Sequence, residues 1–248
     1  MIFLPWQRPA LPPHLDYSAA DRLELLNGIP VCSGLGMADK ERLLDLADEF
    51  LARKNMEGVQ GMVLTPRIQW MIALQACLPI LHLGLKVLND LKSVVVYQGD
   101  FIPPWQKTDE IGVVHPVGPH QGESWQLGTV VLSWDAVEED MKGEGEYPTN
   151  VIIHEIAHQL DKGGGGMPEL PWTMSRASWM RDFSMAFITM EKRHKKGKTT
   201  PLDPYALESA AEFFAVACEA FFVAPGYLQE VLPAVYGQLV GYFRWEPN

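Results

Sequence analysis

The segment VIIHEIAHQLD at residues 151–161 places two histidines four positions apart in a run that is otherwise mostly apolar. Four residues of an α-helix turn the chain through about 400° and advance it by about 6 Å, so His154 and His158 share one face. Polar side chains in an apolar helix need partners, because an unpaired polar group inside a protein is costly. The segment therefore predicts a buried helix whose two histidines bind one cation.

The same residues form the HExxH pattern, in which two histidines bind zinc and the glutamate acts as a base. Glu155 lies about 100° further round the helix than His154, where its carboxylate is suited to take a proton from an activated water rather than to join the ligands. The pattern predicts one Zn²⁺ per chain, held by His154 and His158, with Glu155 as the general base.

A catalytic zinc site uses three protein ligands and keeps one position open, so another element must supply the third ligand. The best candidate is the segment DPYALESAAEFFAVACEAFF at residues 203–222, which is interpreted as one helix. Glu212 stands among apolar residues there, and a nearby cation would offset the cost of burying its carboxylate. Glu212 is therefore the predicted third ligand. Glu208, near the helix start, and Glu219, a candidate acceptor for a ligating imidazole, are the alternatives.

Other polar residues are weaker candidates for the site. His82 lies in an apolar run and is interpreted as a histidine with satisfied hydrogen bonds in the core. Asp161 has two interpretations of equal weight, either orienting His158 or capping the turn after the helix. The remaining histidines are predicted to lie in a Gly/Pro-rich loop or on the surface: His14, His115, His120 and His194.

Five segments together resemble the Mlc titration factor A family, bacterial zinc metallopeptidases whose catalytic domain is similar to that of anthrax lethal factor. The similarity extends from about Leu11 to Pro247. The segments are HEIAHQLD, residues 203–222, GVQGMVLTPRIQWMIALQACLPILHLGL, SVVVYQGDF and GESWQLGTVVLSWDAV. Two features lie outside the resemblance, the four glycines at 163–166 and the basic residues 192–198, and both are predicted to be loops.

The resemblance implies a zincin-like fold, aminopeptidase-type activity on short peptides, and zinc ligation by the two histidines and Glu212. It also implies that Tyr205 lies by the open coordination position, where its hydroxyl would hydrogen-bond to the developing oxyanion. By spacing alone, Tyr205 is equally well interpreted as a packed side chain. Because the founding member binds and inactivates the glucose-responsive repressor Mlc, an Mlc-like repressor is an expected partner. The alternative function is a repressor-sequestering protein in which the zinc site is secondary.

Composition narrows the class of protein. The chain has 248 residues with 47% hydrophobic content, enough to bury one sizeable core. Its net charge of −11 argues against direct binding of nucleic acid or anionic membranes. Three cysteines without close pairing suit a reducing compartment, and the N-terminus lacks the pattern of a signal peptide. A cytoplasmic enzyme is the expectation, with no membrane segment.

The expected fold class is α+β, mainly helical with a small mixed sheet, in a single zincin-like domain. Its parts are an extended Pro-rich arm at 1–18, a mainly helical part at 19–92, and a catalytic part at 93–248. Apolar periodicity and caps predict helices at 21–26, 38–53 and 67–77. β-Branched runs predict strands at 93–97 and 128–134. The second strand is expected to pair with an extended substrate peptide along residues 129–132.

Overall fold

A computed structural model describes residues 17–99, 107–108, 114–115, 122–125 and 128–247. The helices are α1 (Ala19–Asn27), α2 (Met37–Arg53), α3 (Pro66–Cys77), α4 (Trp134–Lys142), α5 (Val151–Leu160), α6 (Arg176–His194), α7 (Ala210–Val223), α8 (Pro225–Val231) and α9 (Pro233–Phe243). The strands are β1 (Asn55–Gly58), β2 (Ser93–Tyr97), β3 (Lys107–Thr108), β4 (Val114–His115), β5 (Gly122–Trp125) and β6 (Thr129–Ser133). Short 3₁₀ turns cover Pro30–Cys32, Leu85–Leu88 and Pro204–Leu207. Most of the arm predicted at 1–18 lies outside the described residues.

Four strands form one mixed sheet in the order β1, β2, β6, β5. The first three run parallel, and β5 runs antiparallel beside β6. Strands β3 and β4 form a separate antiparallel pair. The mainly helical α+β class is therefore confirmed. The strand predicted at 93–97 is β2, and the strand predicted at 128–134 is β6.

The prediction that a peptide adds to residues 129–132 is wrong. Strand β6 lies inside the sheet, with β2 hydrogen-bonded on one side and β5 on the other, so neither edge is open to a further strand. The sequence predicts a loop at residues 116–124, but β5 begins at Gly122, and in the described part of the chain it forms the sheet edge next to β6. An added peptide strand would therefore have to pair with β5 rather than β6.

Helices α2 and α3 confirm their predictions and pack against each other. Helix α3 begins where Thr65 accepts a hydrogen bond from the Ile68 N–H at 3.3 Å, with Pro66 in the first turn. Its middle is entirely buried, including Trp70 at 0% exposure. None of the helices in the described ranges is both long and apolar enough to cross a bilayer.

The segment 203–222 is not one helix, contrary to prediction. A 3₁₀ turn at Pro204–Leu207 comes first, and α7 then starts anew at Ala210. Each element has its own cap, because Asp203 accepts a hydrogen bond from the Tyr205 N–H and Ser209 accepts one from the Glu212 N–H. The basic residues 192–198 are also only partly a loop, since α6 continues to His194.

Helices α5 and α7 pack against each other, and α5 also lies against β5, β6 and α3. Helix α7 is buried from Phe213 to Phe222. Aromatic side chains surround it on the far side, including the stacked rings of Trp179 and Phe183, whose centroids are 4.3 Å apart. This packing fixes the two helices whose facing sides carry the candidate metal ligands.

Candidate metal centre

Helix α5 brings His154 and His158 together. The helix begins where Asn150 Oδ1 accepts a hydrogen bond from the Ile153 N–H at 3.0 Å, and Asp140 Oδ2 accepts one from the Val151 N–H at 2.6 Å. One helical turn later the two imidazoles stand with ring centroids 4.8 Å apart and Nε2 atoms 3.1 Å apart. The four-residue spacing therefore gives the convergence expected from the sequence.

Glu212, in the first turn of α7, reaches the same point. Its Oε2 lies 3.0 Å from His154 Nε2 and 3.3 Å from His158 Nε2. Within the described ranges, these three residues form the one group of histidine, cysteine and acidic side chains placed to hold a metal ion. The glutamate chosen from the sequence as the third ligand thus completes the cluster, while Glu208 is exposed outside α7.

The donor atoms fit a small divalent cation. A tetrahedral ion with bonds of about 2.0–2.1 Å separates its ligand atoms by roughly 3.3 Å. The three sides of the observed triangle, 3.0, 3.1 and 3.3 Å, are close to that separation. Two imidazole nitrogens and one carboxylate oxygen also match the donor set of catalytic zinc sites that keep a fourth position open. The residues present therefore fit the metal.

Electrostatics at the cluster favour bound positive charge. Burial opposes ionisation of Glu212, but hydrogen bonds from the His154 and His158 imidazoles outweigh it and hold the pKa of the carboxyl well below its usual range. Burial likewise opposes protonation of His154, yet Glu219 and Glu212 raise the pKa of this imidazole well above its usual value. A metal ion would occupy the place that protons take between these groups.

Glu219 fixes the orientation of His154. Its Oε1 accepts a hydrogen bond from His154 Nδ1 at 2.7 Å, which leaves Nε2 as the nitrogen facing Glu212. Its Oε2 accepts a hydrogen bond from the Asn150 N–H at 2.6 Å. Of the two sequence interpretations of Glu219, third ligand or imidazole acceptor, the geometry matches the second.

Gln75 is a supporting residue that the sequence analysis missed. It is 1% exposed in the apolar interior of α3, and its Oε1 accepts a hydrogen bond from Asn150 Nδ2 at 2.8 Å. That bond sets the orientation in which Asn150 caps the metal helix, so a buried chain of contacts runs from α3 to His154. A polar residue inside a long apolar run was the available signal.

Loss of the Glu219 carboxylate should weaken metal binding without abolishing it. We expect Glu219→Gln to reduce zinc affinity by about 10–100-fold, because groups that orient ligating imidazoles have effects of that size. Titration against a chromogenic chelator gives the affinity, and Glu230→Gln, an exposed glutamate on α8, is the control. Unchanged affinity in Glu219→Gln would show that the negative charge of Glu219 does not strengthen metal binding.

Tyr205 lies beside the cluster on the 3₁₀ turn before α7. Its ring centroid is 6.0 Å from that of His154, and the side chain is 45% exposed. Partial burial, followed by the negative charges of Glu212 and Glu208, raises the pKa of the phenol well above its usual value. Tyr205 is therefore a neutral hydrogen-bond donor at neutral pH. Its position at the exposed edge of the cluster arises from the turn, not from two turns of a continuous helix.

Glu155 is 2% exposed on the metal helix. Alongside the larger effects of burial and of the other glutamates, its charge adds to the raised pKa values of His154 and Tyr205. Asp161 caps the turn after α5, since its carboxylate accepts hydrogen bonds from the N–H groups of Gly165 and Gly166. That contact corresponds to the capping interpretation.

The other histidines do not join the cluster where the structure describes them. His82 is half-buried, with Nε2 3.6 Å from Asp39 Oδ1 and Nδ1 3.5 Å from Arg42. His194 is exposed at the end of α6. The side chains of His14, His115 and His120 are not among those that the structure describes.

Two histidines and a glutamate on two packed helices, with Glu155 buried next to His154, are typical of mononuclear metallohydrolases. Comparison with known proteins identifies the family. The profile of the glucose-regulated metallo-peptidase M90 family matches residues 5–244. The chain belongs to this family and is therefore a metallopeptidase, which confirms the resemblance drawn from the sequence.

Relatives with the same printed name occur in Salmonella and Klebsiella. The protein named Mlc titration factor A from Salmonella arizonae is 32% identical over 100% of this chain and 98% of its own length. The protein of the same name from Klebsiella pneumoniae subsp. pneumoniae is 34% identical over 88% of this chain and 84% of its own length. A third, from Salmonella paratyphi B, is 32% identical over 100% of this chain and 93% of its own length.

Proposed function

We propose that the protein is a zinc-dependent peptidase that removes residues from the amino ends of short peptides. His154, His158 and Glu212 are the zinc ligands in this proposal, with one ion per chain. The observation that carries it is the triangle of donor atoms, whose sides of 3.0, 3.1 and 3.3 Å suit tetrahedral zinc. Family membership supports the reaction class, because the M90 family is one of metallopeptidases.

A zincin-like fold and a single domain are part of the proposal. The metal helix α5 lies against a small sheet whose strand β5 runs antiparallel to its neighbour β6. Strand β1, from the part at 19–92, pairs with β2, from the part at 93–248, so the sheet joins the two parts. The three buried thiols Cys32, Cys77 and Cys218 are free, which suits the proposed cytoplasmic location.

The reaction uses Glu155 as the group that moves the proton. When bound, zinc supplies Lewis acidity that activates the attacking water and the scissile carbonyl. The Glu155 carboxylate takes the proton from that water and returns it to the leaving amine. The hydrogen bond from His154 to Glu219 and the cap formed by Asn150 hold the start of the metal helix, which carries Glu155.

Tyr205 donates a hydrogen bond to the oxyanion that develops on the substrate carbonyl. Its raised pKa keeps the phenol protonated, and a hydrogen bond with the Glu212 carboxylate holds the side chain beside the proposed ligands. The interaction strengthens as negative charge forms on the oxygen, so it acts mainly on the transition state.

Removal of this hydroxyl tests the role. We expect Tyr205→Phe to lower kcat by about 10²-fold with zinc content and melting temperature nearly unchanged. Steady-state kinetics, elemental analysis and thermal unfolding measure the three quantities. Tyr227→Phe, which removes the hydroxyl bonded to the Pro201 carbonyl oxygen, is the control. A normal kcat in Tyr205→Phe, or a loss of activity that follows a loss of stability, would contradict the oxyanion role.

The proposed activity has a direct assay. Aminoacyl p-nitroanilides are offered with and without an N-acetyl group, and the enzyme is depleted with a chelator and reloaded with zinc. We expect hydrolysis of the free-amine substrates, loss of activity on depletion, and recovery with zinc. His194→Ala, which removes an exposed histidine, should behave like wild type. Equal hydrolysis of the acetylated substrates would contradict the aminopeptidase type, and activity that survives depletion would contradict a zinc peptidase.

A second candidate function is sequestration of a transcriptional repressor of the Mlc kind. The observation in its favour is that three relatives of nearly the same length carry the name Mlc titration factor A. Binding of a repressor would not need the base, so Glu155→Gln should keep it while losing hydrolysis. Co-purification of an Mlc-like repressor with both forms would show that the two functions are separable.

A further inference from the structure

The glycine tract at residues 163–166 contacts both the end of α5 and the start of α7, the two helices that carry the proposed metal ligands. Asp161 ends α5, and its carboxylate accepts hydrogen bonds from the N–H of Gly165 at 3.3 Å and the N–H of Gly166 at 2.5 Å. These bonds fold the tract back against the end of the helix that carries His154 and His158. The exit from α5 is therefore held by a side chain of the helix terminus itself.

Gly166 is fixed by several contacts at once. It is buried with φ at +70°, a conformation that disfavours side chains. Its carbonyl accepts a hydrogen bond from Trp179 Nε1 at 3.2 Å. A Cβ at this position would overlap the Ala210 carbonyl oxygen. Ala210 is the first residue of α7 and precedes Glu212 by two positions, so the backbone of the tract lies directly against the start of the helix that carries Glu212.

We propose that Asp161 and Gly166 form a clamp that sets the separation between α5 and α7 and so positions Glu212 against His154 and His158. The inference rests on the proposed function of these three residues as zinc ligands. Zinc–oxygen and zinc–nitrogen bonds are about 2.0–2.2 Å long, so the position of the α7 start decides how well the Glu212 oxygen can reach an ion held by His154 and His158. Asp161 and Gly166 are positioning residues, because they act on the metal through α5 and α7.

The tract supplies its own control positions. Gly164 has φ at +63° but open space around an added Cβ, so Gly164→Ala introduces backbone strain alone. Gly163 has open space and no left-handed φ, so Gly163→Ala introduces neither effect. Gly166→Ala introduces strain together with overlap at Ala210. The three substitutions are chemically identical and fall within four residues.

Zinc affinity, measured by competition with a chromogenic chelator, and melting temperature of the metal-free protein separate these effects. We expect Gly164→Ala to lower the melting temperature by roughly 2–6 °C and to keep wild-type zinc affinity. We expect Gly166→Ala and Asp161→Ala to weaken zinc binding by about 10–100-fold. Substitution with Co²⁺ adds a spectroscopic readout, since the visible bands should change in Gly166→Ala and stay unchanged in Gly164→Ala.

Wild-type zinc affinity in Gly166→Ala, or an equal loss in Gly164→Ala and Gly166→Ala, overturns the clamp and leaves the metal site standing. If Gly166→Ala does not fold, Asp161→Ala decides, because it removes both acceptor oxygens without adding volume. Full zinc affinity in Asp161→Ala then overturns the clamp. A wild-type protein that binds no zinc refutes the proposed function itself, and the clamp with it.

Discussion

Replacement of Glu155 by glutamine should lower hydrolysis of short peptides by about 10² to 10⁴-fold while zinc content stays at the wild-type level. Glutamine is nearly isosteric with glutamate but cannot take a proton from water. Glu155 is 2% exposed and directly follows the proposed ligand His154 on α5. The measurements are kcat/KM on an aminoacyl p-nitroanilide and zinc by elemental analysis.

The matched control is Glu138→Gln, which makes the same change at an exposed position on α4 and should leave activity unchanged. Two independent preparations of each variant exclude contaminating peptidases. Glu155 is refuted as the base if both preparations of Glu155→Gln show wild-type activity and a chelator inhibits that activity. A loss of zinc together with activity would instead assign Glu155 a structural role.

Replacement of Glu212 by alanine should remove the metal. We expect zinc to fall from about one ion per chain to a small fraction after dialysis, because a site reduced to two histidines lacks the three protein ligands of a catalytic centre. Hydrolysis should be lost with the metal. Folding should survive, since Glu212 lies in the first turn of α7, whose buried apolar residues follow it.

Glu208→Ala provides the comparison for Glu212→Ala. Glu208 was an alternative ligand on sequence grounds, lies four residues earlier and is exposed. Its loss should leave zinc content and hydrolysis near wild type. Full zinc retention in Glu212→Ala would show that the third ligand lies elsewhere. Loss of zinc in Glu208→Ala would then identify Glu208 as that ligand.

Local spacing predicted the parts of the site that lie on one helix. His154 and His158 meet because residues four apart share a helical face, whatever surrounds them. Glu212 was chosen because a carboxylate in an apolar setting needs compensation, and it lies 3.0 Å from His154 Nε2. Its role as a ligand remains a prediction.

Contacts between segments that are distant in the sequence could not be predicted from local patterns of residues. Glu219 bonds to the Asn150 N–H, Asn150 bonds to Gln75, and Gly166 lies against the α7 start, and each contact depends on how separate helices pack. The break between Tyr205 and α7 was missed because Asp203 was taken as the start of one helix, although Ser209 is a second capping residue.

Helix α6 escaped prediction for a different reason. It buries Trp179, Phe183 and Met190, but it also exposes the apolar side chains of Met185 and Ile188. Because apolar residues lie on both faces of α6, they do not recur with a clear helical period, and the amphipathic pattern that identified α2 is absent. The internal position of β6 likewise depended on β5, a strand of four residues in a segment that was interpreted as a loop.

Anomalous scattering from crystals of the purified protein, recorded on both sides of the zinc absorption edge, tests the central claim that this triangle binds the catalytic metal. The account predicts one peak per chain that appears only above the edge, about 2.0–2.2 Å from His154 Nε2, His158 Nε2 and a Glu212 carboxylate oxygen. Crystals without that peak, or with the peak on other side chains, would contradict it.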